Sequence, residues 1–229
     1  MNPKLKSEAE NIYLILSALF IASLVTSNLI FQKFFSFDFF GLHTVELSVG
    51  ILPYPVTFLI TDIISEIYGK KRAHKLVMAG LFASAFMLLI IIVSSWVNAT
   101  DWSPVQNEEF KKVFGFTFIA VAASLMAYLL AQFIDVQLFH FWKRKTKGKH
   151  LWLRNNASTF TSQFIDTFTV LFLLCSFKVI EWELFAILLL NGYLFKVVIA
   201  LLDTPIIYFI VYLFKRRFRM DNKLTELQF

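Results

Sequence analysis

Apolar residues run along this chain in six long blocks, at about 11–31, 46–68, 75–97, 114–141, 157–179 and 184–213. Each block has room for the roughly 20 residues that cross a bilayer core, so each is predicted as a transmembrane helix. The breaks between them sort by charge. GKKRAHK (69–75), KRKTKGKHLWLR (143–154) and KRRFR (215–219) are strongly basic. The alternate breaks hold Lys33, then Lys111 and Lys112 diluted by Asp101, Glu108 and Glu109, then Lys178 beside Glu181 and Glu183. With the two tails, 17 of the 22 Lys and Arg fall on one side. Such an excess marks the cytoplasm, so both termini are expected there. Trp96, Trp102, Trp142, Trp152 and Trp182 all fall at block ends or in breaks, where interfacial indoles belong.

Composition agrees with this pattern. Of 229 residues, 58% are hydrophobic and 17% charged, against about 45–50% and about 25% in a soluble domain. The expectation is an all-α integral membrane protein, residues 1–229 forming one transmembrane domain. No break is long enough to hold a soluble core. KGK at 147–149 lacks the upstream glycine of a Walker A loop and runs into His150, so no ATP site of that kind is expected. Lys4 and Lys6 precede an apolar run too long for a signal peptide, which is taken as a retained first span. The lone Cys175 allows no disulfide within the chain. The basic breaks set topology and meet anionic lipid; no nucleic-acid module accompanies them. No cofactor is implied.

Asp62, Asp166, Lys196 and Asp203 stand deep inside the blocks. Facing lipid they would together cost on the order of 10 kcal/mol, so they are expected to face one another or a wet cavity. Thr159, Ser162, Gln163 and Asp166 recur at i, i+3, i+4 and i+7, one helix stripe about 100° wide. Asp62 and Glu66 share a face of the second span, and Lys196 and Asp203 one side of the sixth. Axial rise puts Asp62, Asp166 and Asp203 at similar depth in the cytoplasmic half, with Lys196 about two turns higher. Asp166 is the expected partner of Lys196. For Glu66 and Asp135, a loop base is as good an expectation as a functional role.

Pro53 and Pro55 flank Tyr54 in the second block, and Pro205 follows Asp203. Each removes an amide donor, and irregular backbone at membrane depth survives only inside protein or along a cavity. Broken helices beside charges are a transporter signature. LITDII in the second span and QFIDTF in the fifth place an aspartate in corresponding helices, consistent with two inverted three-helix halves. Enzyme readings find little support. No HExxH pair and no G-x-S-x-G elbow occurs, and the glycine-flanked aspartate of intramembrane aspartyl proteases is missing. A non-transporting structural subunit is the other rival.

Three of these segments, PYPVTFLITDIISEIYGKKRA, ASTFTSQFIDTF and FKVVIALLDTPIIY, resemble the bacterial queuosine precursor transporter family, grouped with the vitamin uptake transporters. They cover about 45 residues, in order and on alternate spans. The resemblance implies a six-helix protein of the bacterial cytoplasmic membrane. It would import 7-deazaguanine bases (7-cyano- or 7-aminomethyl-7-deazaguanine, or queuine) for tRNA modification. The substrate-binding set is then expected among Tyr54, Asp62, Gln163, Asp166, Lys196 and Asp203, with Glu66, Pro55 and Pro205 as coupling or gating positions. A carboxylate takes two adjacent donors of a guanine-like edge. Gln163 or Lys196 donates to its O6, and Tyr54 or Phe164 stacks on its face. The driving force stays open between proton coupling, exchange and an energising ATPase subunit, and the architecture leaves room for a homodimer.

Overall fold

The computed structural model describes residues 3–39, 43–114, 117–147 and 149–218. In chain order come α1 (Pro3–Ile30), β1 (Phe34–Phe39), β2 (His43–Ser48), a 3-10 turn (Val49–Ile51), α2 (Tyr54–Ile67), α3 (Lys70–Trp96), α4 (Asn107–Phe114), α5 (Thr117–Lys145), α6 (Leu151–Ser176) and α7 (Trp182–Arg217). Six helical segments are long and apolar enough to cross a membrane, the second running from Val49 to Ile67. The expected six-span helical architecture is therefore present. The tail bases Arg219 and Lys223 lie outside the described residues.

α2 is the axis of the bundle. From Ile60 to Ile67 every one of its residues is buried, because α1, α3, α5 and α7 all pack against it. α6 lies along α5 and α7. Around α2 the core collects Phe20 and Leu24 of α1, Leu76 and Val77 of α3, Tyr128, Val136 and Phe139 of α5, and Ile207 and Val211 of α7. Leu14 and Ile15 of α1, Phe82, Phe86 and Leu89 of α3, and Leu201, Leu202 and Phe209 of α7 stay exposed, as lipid-facing side chains must. Close approach depends on small residues where helices touch. A Cβ added to Gly80 would lie 2.7 Å from the Phe20 ring and 3.4 Å from the Tyr128 hydroxyl.

Two elements fall largely where the hydrophobic pattern leaves breaks, though the second strand reaches to Ser48, so the expected span 46–68 begins only at Val49. β1 and β2 form an antiparallel hairpin in the register Phe34↔Ser48, Ser36↔Glu46 and Asp38↔Thr44, with Thr44 Oγ1 donating to Asp38 Oδ1 at 2.6 Å. The segment FFSFDF against HTVELS alternates at the strand period of two. α4 is a single amphipathic stretch. Glu109 accepts from the Gln106 backbone amide at 2.9 Å, the acidic half of a capping box. Its acids come first and its bases last, matching the helix dipole.

At the base-rich end, charge pairs tie the helices. Arg72 of α3 grips Glu10 of α1 with both guanidinium nitrogens, at 2.7 and 2.5 Å. Arg217 of α7 holds Glu8 of α1 in the same forked way, at 2.8 and 2.7 Å. Lys143 of α5 approaches Glu66 of α2 at 3.4 Å and donates to its carbonyl at 3.2 Å. The Tyr68 hydroxyl donates to Ala9 O at 2.7 Å; burial pushes that phenol above its usual range, so it remains a donor.

Candidate functional site

At the opposite end the helices part around a cavity of about 360 Å³. The last turn of α1 forms one wall with Ser27, Asn28, Phe31 and Gln32. The hairpin contributes Phe34, Glu46 and Ser48, which share one strand face. Thr167, Val170, Leu171 and Leu174 of α6 and Leu188 and Gly192 of α7 line the opposite side. Ser124 of α5 also lines it and donates to Asn28 Oδ1 at 2.9 Å. Gly50 lets the strand-to-helix connection seat directly on α1. A Cβ there would come within 2.7 Å of Phe31 Cβ and of Ser27 O.

The floor of this cavity is polar. Asp166, 5% exposed, accepts from the Tyr54 hydroxyl at 2.8 Å on one oxygen and from Lys196 Nζ at 2.7 Å on the other. The same ammonium lies 4.8 Å from the centre of the Tyr54 ring. Three spans thus meet in one carboxylate, one cation and one phenol. The unlike pair compensates its own burial, and breaking it would strand a charge in a low dielectric.

Beneath the floor lies a narrow cleft of about 20 Å³, lined by Pro55, Phe58, Thr159, Gln163, Lys196 and Asp203. Gln163 Oε1 is buried there without a partner among the described residues. Asp203 is half-buried and forms no ion pair among them. Its neighbour Thr204 accepts from Asn156 Nδ2 at 2.8 Å and so links α7 to α6. Asp62 lines neither space. Its carboxyl receives Thr159 Oγ1 at 3.4 Å and faces Asp135 of α5.

Residues 48–210 match the family described as "Putative vitamin uptake transporter". The chain belongs to this family. A "Probable queuosine precursor transporter" of Bacillus subtilis (strain 168) is 28% identical over 172 residues, 72% of this chain and 74% of the relative. The "Queuosine precursor transporter" of Escherichia coli (strain K12) is 28% identical over 169 residues, 70% of this chain and 69% of the relative. A Haemophilus influenzae relative, also named "Probable queuosine precursor transporter", is 27% identical over 122 residues, 52% of this chain and 48% of its own. No solved structure matches.

In this vitamin uptake transporter family member, the geometry gathers some expected site residues and separates others. Tyr54, Asp166 and Lys196 meet at the cavity floor. Asp166 stands level with Lys196, to which it bonds directly. The expectation that it lies at the depth of Asp203 is corrected: helix tilt overrides axial counting from block ends. The cavity opens away from the base-rich end, not toward it. Asp62 is withdrawn from the cavity into contact with Asp135. Asp135 itself takes Ser162 Oγ at 2.9 Å rather than a loop base, whereas Glu66 does take a base, Lys143. Phe164 is 43% exposed and stacks on Phe168, outside the cavity.

The prolines are also redistributed. Pro53 caps α2 and Pro55 sits in its first turn, where a missing amide costs nothing. They start the helix rather than kink its middle. α7 runs unbroken through Pro205, which is exposed. Asn28, Glu46 and Ser124 were not expected at the site. The strand alternation around Glu46 was the one sequence signal for it; nothing in the chain pattern brings Asn28 and Ser124 together.

Proposed function

We propose that this chain is a multi-pass transporter of the bacterial inner membrane that carries queuosine precursors, the 7-deazaguanine bases. The observation that carries the reading is the Tyr54–Asp166–Lys196 floor beneath a small-molecule cavity, in a chain whose relatives are named for that transport. The cavity volume of about 360 Å³ falls in the lower part of the range for small-ligand clefts. Its lining is mostly apolar with few polar groups, as a flat heteroaromatic base requires. A guanine-like edge offers N1–H and an exocyclic amine as adjacent donors and O6 as acceptor. The Asp166 carboxylate accepts the two donors through its remaining lone pairs. Lys196 donates to O6. Tyr54 both orients Asp166 and offers a ring edge to the base, while Glu46 and Asn28 face the ligand from the hairpin and α1.

The base-rich end is read as cytoplasmic, so the cavity faces outward and the arrangement is the loading state. Gln163 and Asp203 lie on the path below the floor and meet the base after Lys196 releases Asp166. The α1–α3 and α5–α7 halves are read as an inverted pair with the aspartate-bearing α2 and α6 in corresponding places. This reading treats the chain as a carrier rather than an enzyme.

Uptake into proteoliposomes tests it. Radiolabelled 7-cyano-7-deazaguanine should enter vesicles holding the purified chain, with competition from unlabelled 7-aminomethyl-7-deazaguanine and none from adenine. Entry no faster than into empty vesicles, or equal competition by adenine, would remove the assignment.

A further inference from the structure

The ion pairs described above join unlike charges; one buried contact joins like ones. Asp62 of α2 and Asp135 of α5 face each other within hydrogen-bonding reach. They are 3% and 0% exposed. Hydroxyls serve them: Ser162 and Ser158 on Asp135, Thr159 on Asp62. Among the described residues, Asp62 Oδ1 and Asp135 Oδ2 have no donor. Among the described residues no base pairs with either carboxyl. Two carboxylates in contact in a low dielectric cannot both stay ionised without a counter-charge between them.

The titratable groups on the packed elements do not supply that charge. On α2, Glu66 is held by Lys143 of α5. On α7, Asp203 adds negative field at Asp62. Lys196 is committed to Asp166 of α6. On α3, His74 stacks on Phe133, and on α5, His140 lies past Asp135 toward the base-rich end.

The pair also sits on a buried polar seam. Among the described residues, Gln132, one turn from Asp135, is fully buried with both side-chain polar atoms unpartnered. Among them too, Ser65, one turn from Asp62, has an unpartnered hydroxyl at 1% exposure, and Asn155 of α6, on the face of Ser158 and Ser162, an unpartnered carbonyl oxygen at 3%. Ser65 and Asn155 lie toward the Glu66–Lys143 pair at the base-rich end. On the other side, Thr159 both donates to Asp62 and lines the cleft beneath the substrate floor.

We propose that Asp62 and Asp135 share one proton, and that loading and release of this proton couple substrate movement to the proton gradient. The proposal deepens the transport reading and rests on it. When loaded, the carboxyl O–H of one aspartate donates to the bare carboxylate oxygen of the other. When released, the proton leaves along Ser65 and Asn155 toward Glu66 and Lys143, and the pair becomes doubly negative and must part. Separation of α2 from α5 is then linked to the protonation state.

The test uses proteoliposomes of wild type, Asp135→Asn and Asp62→Asn with labelled 7-cyano-7-deazaguanine. A one-unit pH gradient sustains about tenfold accumulation at one proton per base, since each tenfold is about 1.4 kcal/mol. Wild type should reach that accumulation when the outside is acidic. Asp135→Asn should lose accumulation yet still exchange internal for external base, because an amide beside the remaining carboxylate holds the pair in its singly charged, loaded state. Infrared spectra of wild type should carry a protonated carboxyl band that both variants lose, a readout that needs no transport. Accumulation by Asp135→Asn equal to wild type would overturn the proposal. So would wild-type exchange that ignores a proton gradient but follows a sodium gradient, or absence of the carboxyl band. Vesicles showing neither uptake nor exchange would instead overturn the transport reading, and the proton site with it.

Discussion

At the base-rich end, Arg72, Arg217 and Lys143 each hold a carboxylate on another helix. At the opposite end the joining is done by neutral groups. Ser27 Oγ donates to Gly50 O, Ser48 Oγ to Phe31 O, and Val49 N to Lys33 O at 2.7 Å. There, among the described residues, the one ion pair, Asp166–Lys196, lies at the bottom of an open space rather than across it. Charge pairs therefore tie one end, while at the other the Asp166–Lys196 pair borders the cavity. The Arg217 fork is exposed and the Arg72 fork half-buried, so each is worth little in water; together they are expected to hold that end shut.

The largest effect that would break this contrast is at the floor. Lys196→Ala leaves Asp166 buried without its cation and should cost about 3–5 kcal/mol, read by thermal unfolding in detergent. Adding Asp166→Ala should restore most of that stability without restoring uptake. If the single variant melts like wild type, the floor pair is not load-sharing and the contrast with the exposed forks disappears.

A smaller effect is expected where the hairpin connection seats on α1. Gly50→Val drives a Cβ into Phe31 and the Ser27 carbonyl, and overpacking of this kind costs about 1–3 kcal/mol. Unchanged melting would mean that the cavity wall yields freely. The smallest effect belongs to the sealed end. Glu10→Gln, facing a partner that is 24% exposed, should change stability by about 0.2–1 kcal/mol. It should nevertheless raise the labelling rate of a cysteine at Ser65 by a thiol reagent supplied from the base-rich side. Unchanged labelling would show that the forks do not hold that end shut.

Much of this architecture was legible in the chain because its period and its charge both speak. Long apolar blocks gave the six spans, and the basic breaks picked out the end where Arg72, Lys143 and Arg217 cluster. The in-span Asp166 and Lys196 announced a shared polar site by their cost in lipid. The pairing of Lys196 with Asp166 was expected and is present; what could not be read was that Asp62 turns toward Asp135 rather than into the cavity, because helix rotation decides that. The hairpin was hidden by its neighbours: an aromatic strand between two membrane blocks looks like more membrane until its period of two is counted. PYP was misplaced for a related reason. A proline pair within an apolar block suggests a kink, but the helix starts there.

The central claim is that the Asp166 floor binds a guanine-type base, and thermal unfolding of the purified chain with and without 7-cyano-7-deazaguanine tests it most directly. At a hundredfold excess over Kd, wild type should gain about 2.7 kcal/mol, while adenine gives no gain and Asp166→Asn gains nothing at the same concentration. Equal stabilisation by adenine, or stabilisation of Asp166→Asn as large as that of wild type, would contradict the account.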